Sequence, residues 1–318
     1  MRRRAFVRGA AFGAAVGSVL RASAGATPHV RVGFTGRPCE APLFCGREAG
    51  LFAADGLSVE LVRVAEQQIG AALAAGRIDA AAGSLALWLP QIASGAARVG
   101  AGLHAGCIRL LSAAGSGVDS IAGAAGAVIA TERIGSPAML LLSALLAKRG
   151  VNPRTAVRWR AAGNDLRASI ASGAQVVAAS DPQAFALLDG GAAAPLDDTA
   201  GGLSCGPDPA HDHQCFVILR EGFVRSEPAT ASAITAALLT ATAWTGGYVE
   251  RSARIASVAR YAGGDPATVG AALASYDWKP SRALTSEEIA LTARDFKRAG
   301  LLASPLDPVE FAERAFAG

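Results

Sequence analysis

Lysine is almost missing. Only three of the 30 basic residues are Lys, and in a chain so rich in Ala and Gly this reads as compositional bias rather than chemistry. Charge of any kind is sparse at 18% of the 318 residues, against 51% hydrophobic. That balance excludes a disordered chain and suits one large globular body or two ordinary domains. After the N-terminal segment there is no run of about 18 strongly apolar, charge-free residues, which argues against a membrane-spanning body. Acid is absent from residues 1–24, which carry Arg2, Arg3, Arg4, Arg8 and Arg21. These outweigh the formal net charge of +4, so the rest of the chain is close to neutral and gives no bulk reason to expect nucleic acid as a partner.

Several catalytic signatures are missing as well. Gly-x-Ser-x-Gly never occurs; Ser84 follows Gly83 at a strand-to-helix step, but no partner His can be assigned to it. Gly115-Ser116-Gly117 lacks the third Gly and the tight helix start of a nucleotide loop, so no cofactor is implied. A Cys107/His104 pair would be the weak basis of an exported hydrolase. His211, His213 and Cys215 form the one dense group of metal donors, and alternation on a strand would put all three on one face. The plainer reading is a polar loop entering a buried strand, and no metal is assigned. Five cysteines, at 39, 45, 107, 205 and 215, leave at least one without an intramolecular partner. Cys205 with Cys215, or Cys39 with Cys45, are close enough in sequence to pair, and connectivity stays open.

What is present begins with a leader. A basic start, the apolar run Ala10–Leu20 and the small-residue step Ala22-Ser23-Ala24 predict a cleaved export signal over residues 1–24. Arg3-Arg4 before Ala-Phe-Val resembles the twin-arginine type. The expected product is soluble and periplasmic, with no membrane insertion of the mature chain.

The remainder alternates short apolar strands with helices of about ten residues, which predicts a mostly parallel α/β sheet with helices on both faces. Strands are expected at Val30–Phe34, Leu57–Val62, Asp79–Ala82, Ala97–Leu103, Gly126–Thr131, Val157–Arg160, Val176–Ala179 and Cys215–Leu219. A helix is expected over Ala41–Phe52, and a strong one over Ser136–Arg149 with an apolar stripe. The last hundred residues read as helices without strands, among them Ser226–Tyr248 and Glu250–Tyr261. The length exceeds one typical core and no linker is visible. Two α/β lobes joined by crossing strands follow: residues 25–108 with 217–318 as the first, 109–216 as the second. Crossings are expected near Gly106–Leu111 and Cys215–Leu219, and the ligand between the lobes.

Four strand-to-helix junctions offer free N–H donors for a ligand. They are Pro38–Cys45, Gly83-Ser84, Gly135-Ser136-Pro137 and Asp181-Pro182. Ser136 before Pro137 is a cap signature. Taken alone, each junction needs to do no more than cap its helix.

In order along the chain, these features resemble periplasmic substrate-binding proteins of ABC importers, in the nitrate/sulfonate/taurine group. The matching stretches are Gly33–Pro42, Phe52-Ala53-Ala54-Asp55-Gly56-Leu57, Ala74–Ala80, Leu103-His104-Ala105-Gly106-Cys107-Ile108, Ile134–Met139 and Asp181-Pro182. The resemblance implies the two-lobe periplasmic binding protein fold, a small polar ligand, an ABC permease as partner and a monomer. It places ligand contacts at Arg37, Pro38, Cys39, Glu40, Ser84, His104, Gly106, Cys107, Gly135, Ser136, Pro137 and Asp181. Ala105 departs from the Thr common in one branch, and no Lys falls at a proposed pocket position. Asp181 in the cleft would oppose an anion. A sulfonate or nitrate-like ligand therefore stays one option beside a neutral or cationic metabolite. A ligand-sensing module feeding a signalling protein, or an exported enzyme, are the other classes.

Overall fold

The computed structural model describes residues 27–196, 213–283 and 285–317. Strands β1 (His29–Phe34), β2 (Ser58–Arg63), β3 (Ala80–Ser84), β4 (Ala97–Ala105), β5 (Ile108–Ala113), β6 (Val128–Thr131), β7 (Arg158–Ala161), β8 (Val176–Ser180), β9 (Ala193–Pro195), β10 (Cys215–Arg220) and β11 (Asp277–Ser281) build two sheets. The first has the order β11-β4-β10-β3-β1-β2 and the second β7-β6-β8-β5-β9. β1 pairs in parallel with β2 and β3, and β6 with β7 and β8. β10 runs antiparallel to β3 and β4, and β5 antiparallel to β8 and β9. This is a mixed two-lobe α/β architecture of the periplasmic binding protein type, with helices packed on both sheets.

The alternation read in β1 is a burial pattern: Val30, Val32 and Phe34 point into the core. The long helix Pro228–Gly247 is apolar without a dominant face, and small residues let it lie close on the first sheet. Its buried hydroxyls are satisfied locally. Thr235, Thr242 and Thr245 donate to the carbonyls of Ala231, Leu238 and Ala241 at 2.7–2.8 Å. In the second lobe, Ser136 caps helix Pro137–Lys148 by accepting from Met139 N at 3.2 Å.

Five expectations need correction. The sheets are mixed rather than mostly parallel, because β10 and β5 run antiparallel to their neighbours. Helix Ala41–Phe52 breaks at Gly50, whose φ of +71° ends one helix at Glu48 before Leu51–Ala54 begins. Helix Glu250–Tyr261 ends at Ala256. The C-terminal region is not strand-free, because Asp277–Ser281 joins the first sheet as its edge, where Pro280 costs no ladder bond. The stretch Cys215–Leu219 is no crossing segment, since β10 lies inside the first sheet between β3 and β4.

The outward crossing is where it was expected. β4 of the first sheet passes into β5 of the second through Gly106 and Cys107. Gly106 has φ +110°, and a Cβ there would come within 2.8 Å of the Tyr276 Cα. Gln214, just before β10, fastens this turn. Its Oε1 accepts from Gly106 N at 3.3 Å and Ile108 N at 3.1 Å. Among the described residues, no helix is long and apolar enough to cross a membrane.

Candidate ligand site

The turn after β1 is built around one buried carboxylate. Glu40 accepts from the backbone N–H groups of Thr35, Gly36 and Arg37 at 2.7–2.8 Å and from the Thr35 hydroxyl at 3.1 Å. Burial pushes its carboxyl up to about 7, with the Cys39 thiol adding to the effect and the backbone donors opposing it. Glu40 therefore shapes the loop that carries Arg37 and Cys39.

A small cavity of about 30 Å³ opens at the junction of the two sheets. The first sheet and its loops contribute Arg37, Cys39, Glu40, Ser84 and Cys215 to its wall; the crossing gives Cys107, and the second lobe gives Pro137 from the start of its helix Pro137–Lys148 and Ser180 from the end of β8. That volume holds one or two water-sized groups. Ser84, at the start of helix Leu85–Ala93, makes no side-chain cap bond.

Ion pairs lock the lobes over this cavity. Arg37 Nε and Nη2 donate to Glu66 Oε2 at 2.9 and 2.7 Å, and Arg37 Nη1 donates to Glu132 Oε1 at 3.0 Å. Arg133 Nη2 donates to the other oxygen of Glu66. Arg37 lies in the turn after β1 and Glu66 opens the helix Glu66–Ala74 after β2, while Glu132 and Arg133 lie in the loop after β6, so two of these contacts span the cleft. Desolvation pushes Glu66 up, but Arg37 and Arg133 outweigh it and hold its carboxyl below the usual range. Glu132 Oε2 is buried with no partner among the described residues.

Of the residues expected at the ligand, Arg37, Cys39, Glu40, Ser84, Cys107 and Pro137 line the cavity and the others do not. Pro38 is buried in the turn beneath Arg37. Gly135 has φ +77° and holds the turn before the cap. The Ser136 hydroxyl is fully buried and shared between Met139 N and Thr131 Oγ1, the latter at 2.7 Å, so it is a cap rather than a cleft donor. Asp181 also faces inward. Arg109 Nε and Nη2 clasp its two oxygens at 2.8 and 2.7 Å, and its Oδ1 accepts from Phe185 N at 2.9 Å. Burial raises the Asp181 carboxyl while Arg109 opposes the rise. Its charge is answered inside the second lobe and does not stand bare against an anion in the cleft.

The enzyme and metal alternatives take a different shape. His104 is fully buried, stacked on Tyr276 with ring centroids 5.3 Å apart, and its Nε2 donates to the Cys39 carbonyl at 2.9 Å. Burial depresses its pKa. It braces the Cys39 loop and is not hydrogen-bonded to Cys107, so the Cys107/His104 dyad does not form. His211 lies outside the described residues. His213 points away from Cys215: its Nδ1 meets Glu288 Oε1 at 2.8 Å, and its Nε2 contacts the Lys279 carbonyl. The set His211, His213, Cys215 is thus replaced by another. Cys39, Cys107 and Cys215 bring their sulfurs within 4.8 Å of one another, with Cys107 and Cys215 at 3.3 Å. None of Cys39, Cys45, Cys107 or Cys215 is in a disulfide. Within the trio, hydrogen bonds from Cys215 and Cys39 pull the Cys107 thiol down to about 5. The same contacts with Cys107 push Cys215 up, and carry Cys39 up to about 12.

Sequence reasoning missed Glu66, Glu132, Gln214 and the convergence of the three thiols. Arg37 is 29 residues from Glu66 and 95 from Glu132, and Cys107 is 108 from Cys215. No local spacing signals such pairs.

Comparison with known proteins agrees with this geometry. The chain matches the alkanesulfonate-binding protein SsuA from Xanthomonas axonopodis pv. citri bound to MOPS, at 22% identity and TM-score 0.65, over 89% of this chain and 97% of that one. The periplasmic aliphatic sulphonate binding protein SsuA from Escherichia coli matches at 18% identity and TM-score 0.70, over 91% and 97%. The periplasmic nitrate-binding protein NrtA from Synechocystis PCC 6803 matches at 14% and 0.68, over 92% and 86%. At these identities the likeness establishes the fold. No curated protein matches the sequence. The family model described as NMT1/THI5 like matches residues 37–247, a stretch that holds the Arg37 loop, the crossing at Gly106 and Cys107, and all three cavity thiols, and the chain belongs to that NMT1/THI5-like family.

Proposed function

We propose that this chain captures a small polar metabolite between its lobes in the periplasm and delivers it to an ABC permease. The lobes in this reading are residues 25–108 with 217–318, and 109–216, with Cys215 and Phe216 joining the first because β10 belongs to its sheet; residues 1–24 are the export signal, and the protein acts as a monomer. The observation that carries the reading is the cavity walled by both sheets and bridged by Arg37–Glu132 and Arg133–Glu66. Family membership and the likeness to solved sulfonate-binding and nitrate-binding proteins support it.

No covalent step is involved. In an open form the cavity residues face solvent, and ligand contacts to both walls favour closure. The permease reverses that closure to take the ligand. At the cavity Arg37 is already paired with two carboxylates, so a simple anion would have to displace a glutamate from it. In the open form a neutral polar solute meets the wall without that exchange, and the Ser84 hydroxyl, which makes no cap bond, is the lining group with hydrogen-bonding capacity to receive it. The test is mass spectrometry of small molecules released by denaturing natively exported protein. One polar compound at near one per chain, rebinding to the refolded protein, is expected. A protein that carries none and shows no closure with periplasmic extract would overturn the reading.

A further inference from the structure

The three thiols at the cavity are more than the capture of a metabolite requires. Cys39 comes from the turn after β1, Cys107 from the crossing between sheets, and Cys215 from the start of β10. Three separate pieces of chain bring their sulfurs within 4.8 Å of one another, and all three line the same cavity. Cys107 and Cys215 are buried in the core, and Cys107 Sγ lies 3.8 Å from Gln214 Oε1. We propose that Cys39, Cys107 and Cys215 form a three-thiolate site for a thiophilic ion of charge two or three.

The donor set decides the class. Sulfur alone selects soft ions over Mg²⁺ or Ca²⁺, which take oxygen. With a metal–sulfur bond of about 2.3 Å, tetrahedral geometry spaces the sulfurs about 3.8 Å apart, between the 3.3 Å of the Cys107–Cys215 pair and the 4.8 Å limit of the group. A cavity of about 30 Å³ suits a single ion and one further small group. No fourth His or carboxylate belongs to the cluster among the described residues, which favours three-coordination or an open fourth position.

Charge then narrows the choice. Three thiolates around a monovalent ion leave two negative charges in a buried site. A divalent ion leaves one, and trivalent arsenic leaves none. Uncompensated buried charge is costly, and Arg37, the guanidinium lining this cavity, is already neutralised by Glu66 and Glu132. Binding a divalent ion releases to solvent whatever protons the three thiols hold. Arsenous acid instead exchanges three As–O bonds for three As–S bonds, each hydroxyl leaving as water with a thiol proton or, where the thiol is already ionised, with a proton from solvent. No oxidant or reductant takes part in either case.

This goes beyond the proposed capture of a metabolite and does not rest on it. The test titrates Cd(II), arsenite and Cu(I) separately into the reduced full chain under anaerobic conditions, read by native mass spectrometry and by thiolate-to-metal absorption. One Cd(II) or one arsenite per chain is expected, retained in a C45S/C205S background and weakened at least tenfold by each of C39S, C107S and C215S. Because those variants could disturb the core, cadmium NMR of the unmutated protein is the second measurement, with a resonance in the sulfur-rich range expected. An oxygen-donor resonance, absence of both Cd(II) and arsenite binding, affinity untouched by all three substitutions, or binding of Cu(I) alone would overturn the proposal. Metabolite release and lobe closure are separate readouts, so failure here leaves the transport reading standing.

Discussion

Arg133→Gln should open the cleft measurably. Its guanidinium reaches from the loop after β6 to Glu66 beside the other sheet. A charge-assisted bond is worth about 1.5–3 kcal/mol when well shielded. Here Arg133 keeps 30% of its side-chain surface in solvent and Glu66 11%, so screening reduces the figure to about 1 kcal/mol. That is roughly a fivefold shift of the closed-to-open ratio toward open. Adding Glu132→Gln removes the second contact across the cleft, Arg37–Glu132 at 3.0 Å. The pair of changes should total about 2 kcal/mol, or roughly thirtyfold. Energy transfer between dyes placed without cysteine chemistry at exposed Ala54 and Asp119 reads the equilibrium directly. High salt should reproduce part of the effect in the unmutated protein, because the partners are partly exposed. A double variant with native circular dichroism and an unchanged transfer distribution would show that packing at the crossing, and not these ion pairs, holds the lobes together.

Three further outcomes are expected. Asp181→Asn leaves Arg109 buried without its counter-charge and should cost about 3–5 kcal/mol in denaturant unfolding; a loss below 1 kcal/mol would mean that the pair is solvated. Gly106→Ala forces a side chain onto φ +110° and against the Tyr276 backbone, and should destabilise by about 2 kcal/mol or more in the same assay, whereas a neutral result would mean that the crossing relaxes freely. Acid should loosen the clasp only late: because Glu66 is held below the usual carboxylate range in the folded chain, its stabilisation is complete above the unfolded value of about 4.3 and is lost as pH falls further. Because Glu40 itself titrates near 7, the check is made beside a Glu40→Gln variant, and energy transfer that declines between pH 7 and 5 in both proteins would contradict this assignment.

The sequence by itself determined the alternating strands and helices, because burial periodicity is local: β1, β3, β6 and β8 and helix Pro137–Lys148 could be read from a few neighbouring residues. It also placed the outward crossing near Gly106–Leu111, although strand β5 just after it was not read from the sequence. Strand Asp277–Ser281 was invisible because its Pro280 and Lys279 read against β structure, and an edge position in the sheet is what tolerates them. Tertiary structure alone decided the site. Whether a serine at a helix start faces a cleft or its own turn depends on what packs over it, which is why Ser84 reaches the cavity and Ser136 does not. Charges followed the same logic: Asp181 looked bare until β5 laid Arg109 beside it. The thiols at 39, 107 and 215 meet only because three backbone segments converge at the crossing of the sheets. Contacts between groups so far apart in sequence are fixed by sheet order, and sheet order is a property of the whole packed core.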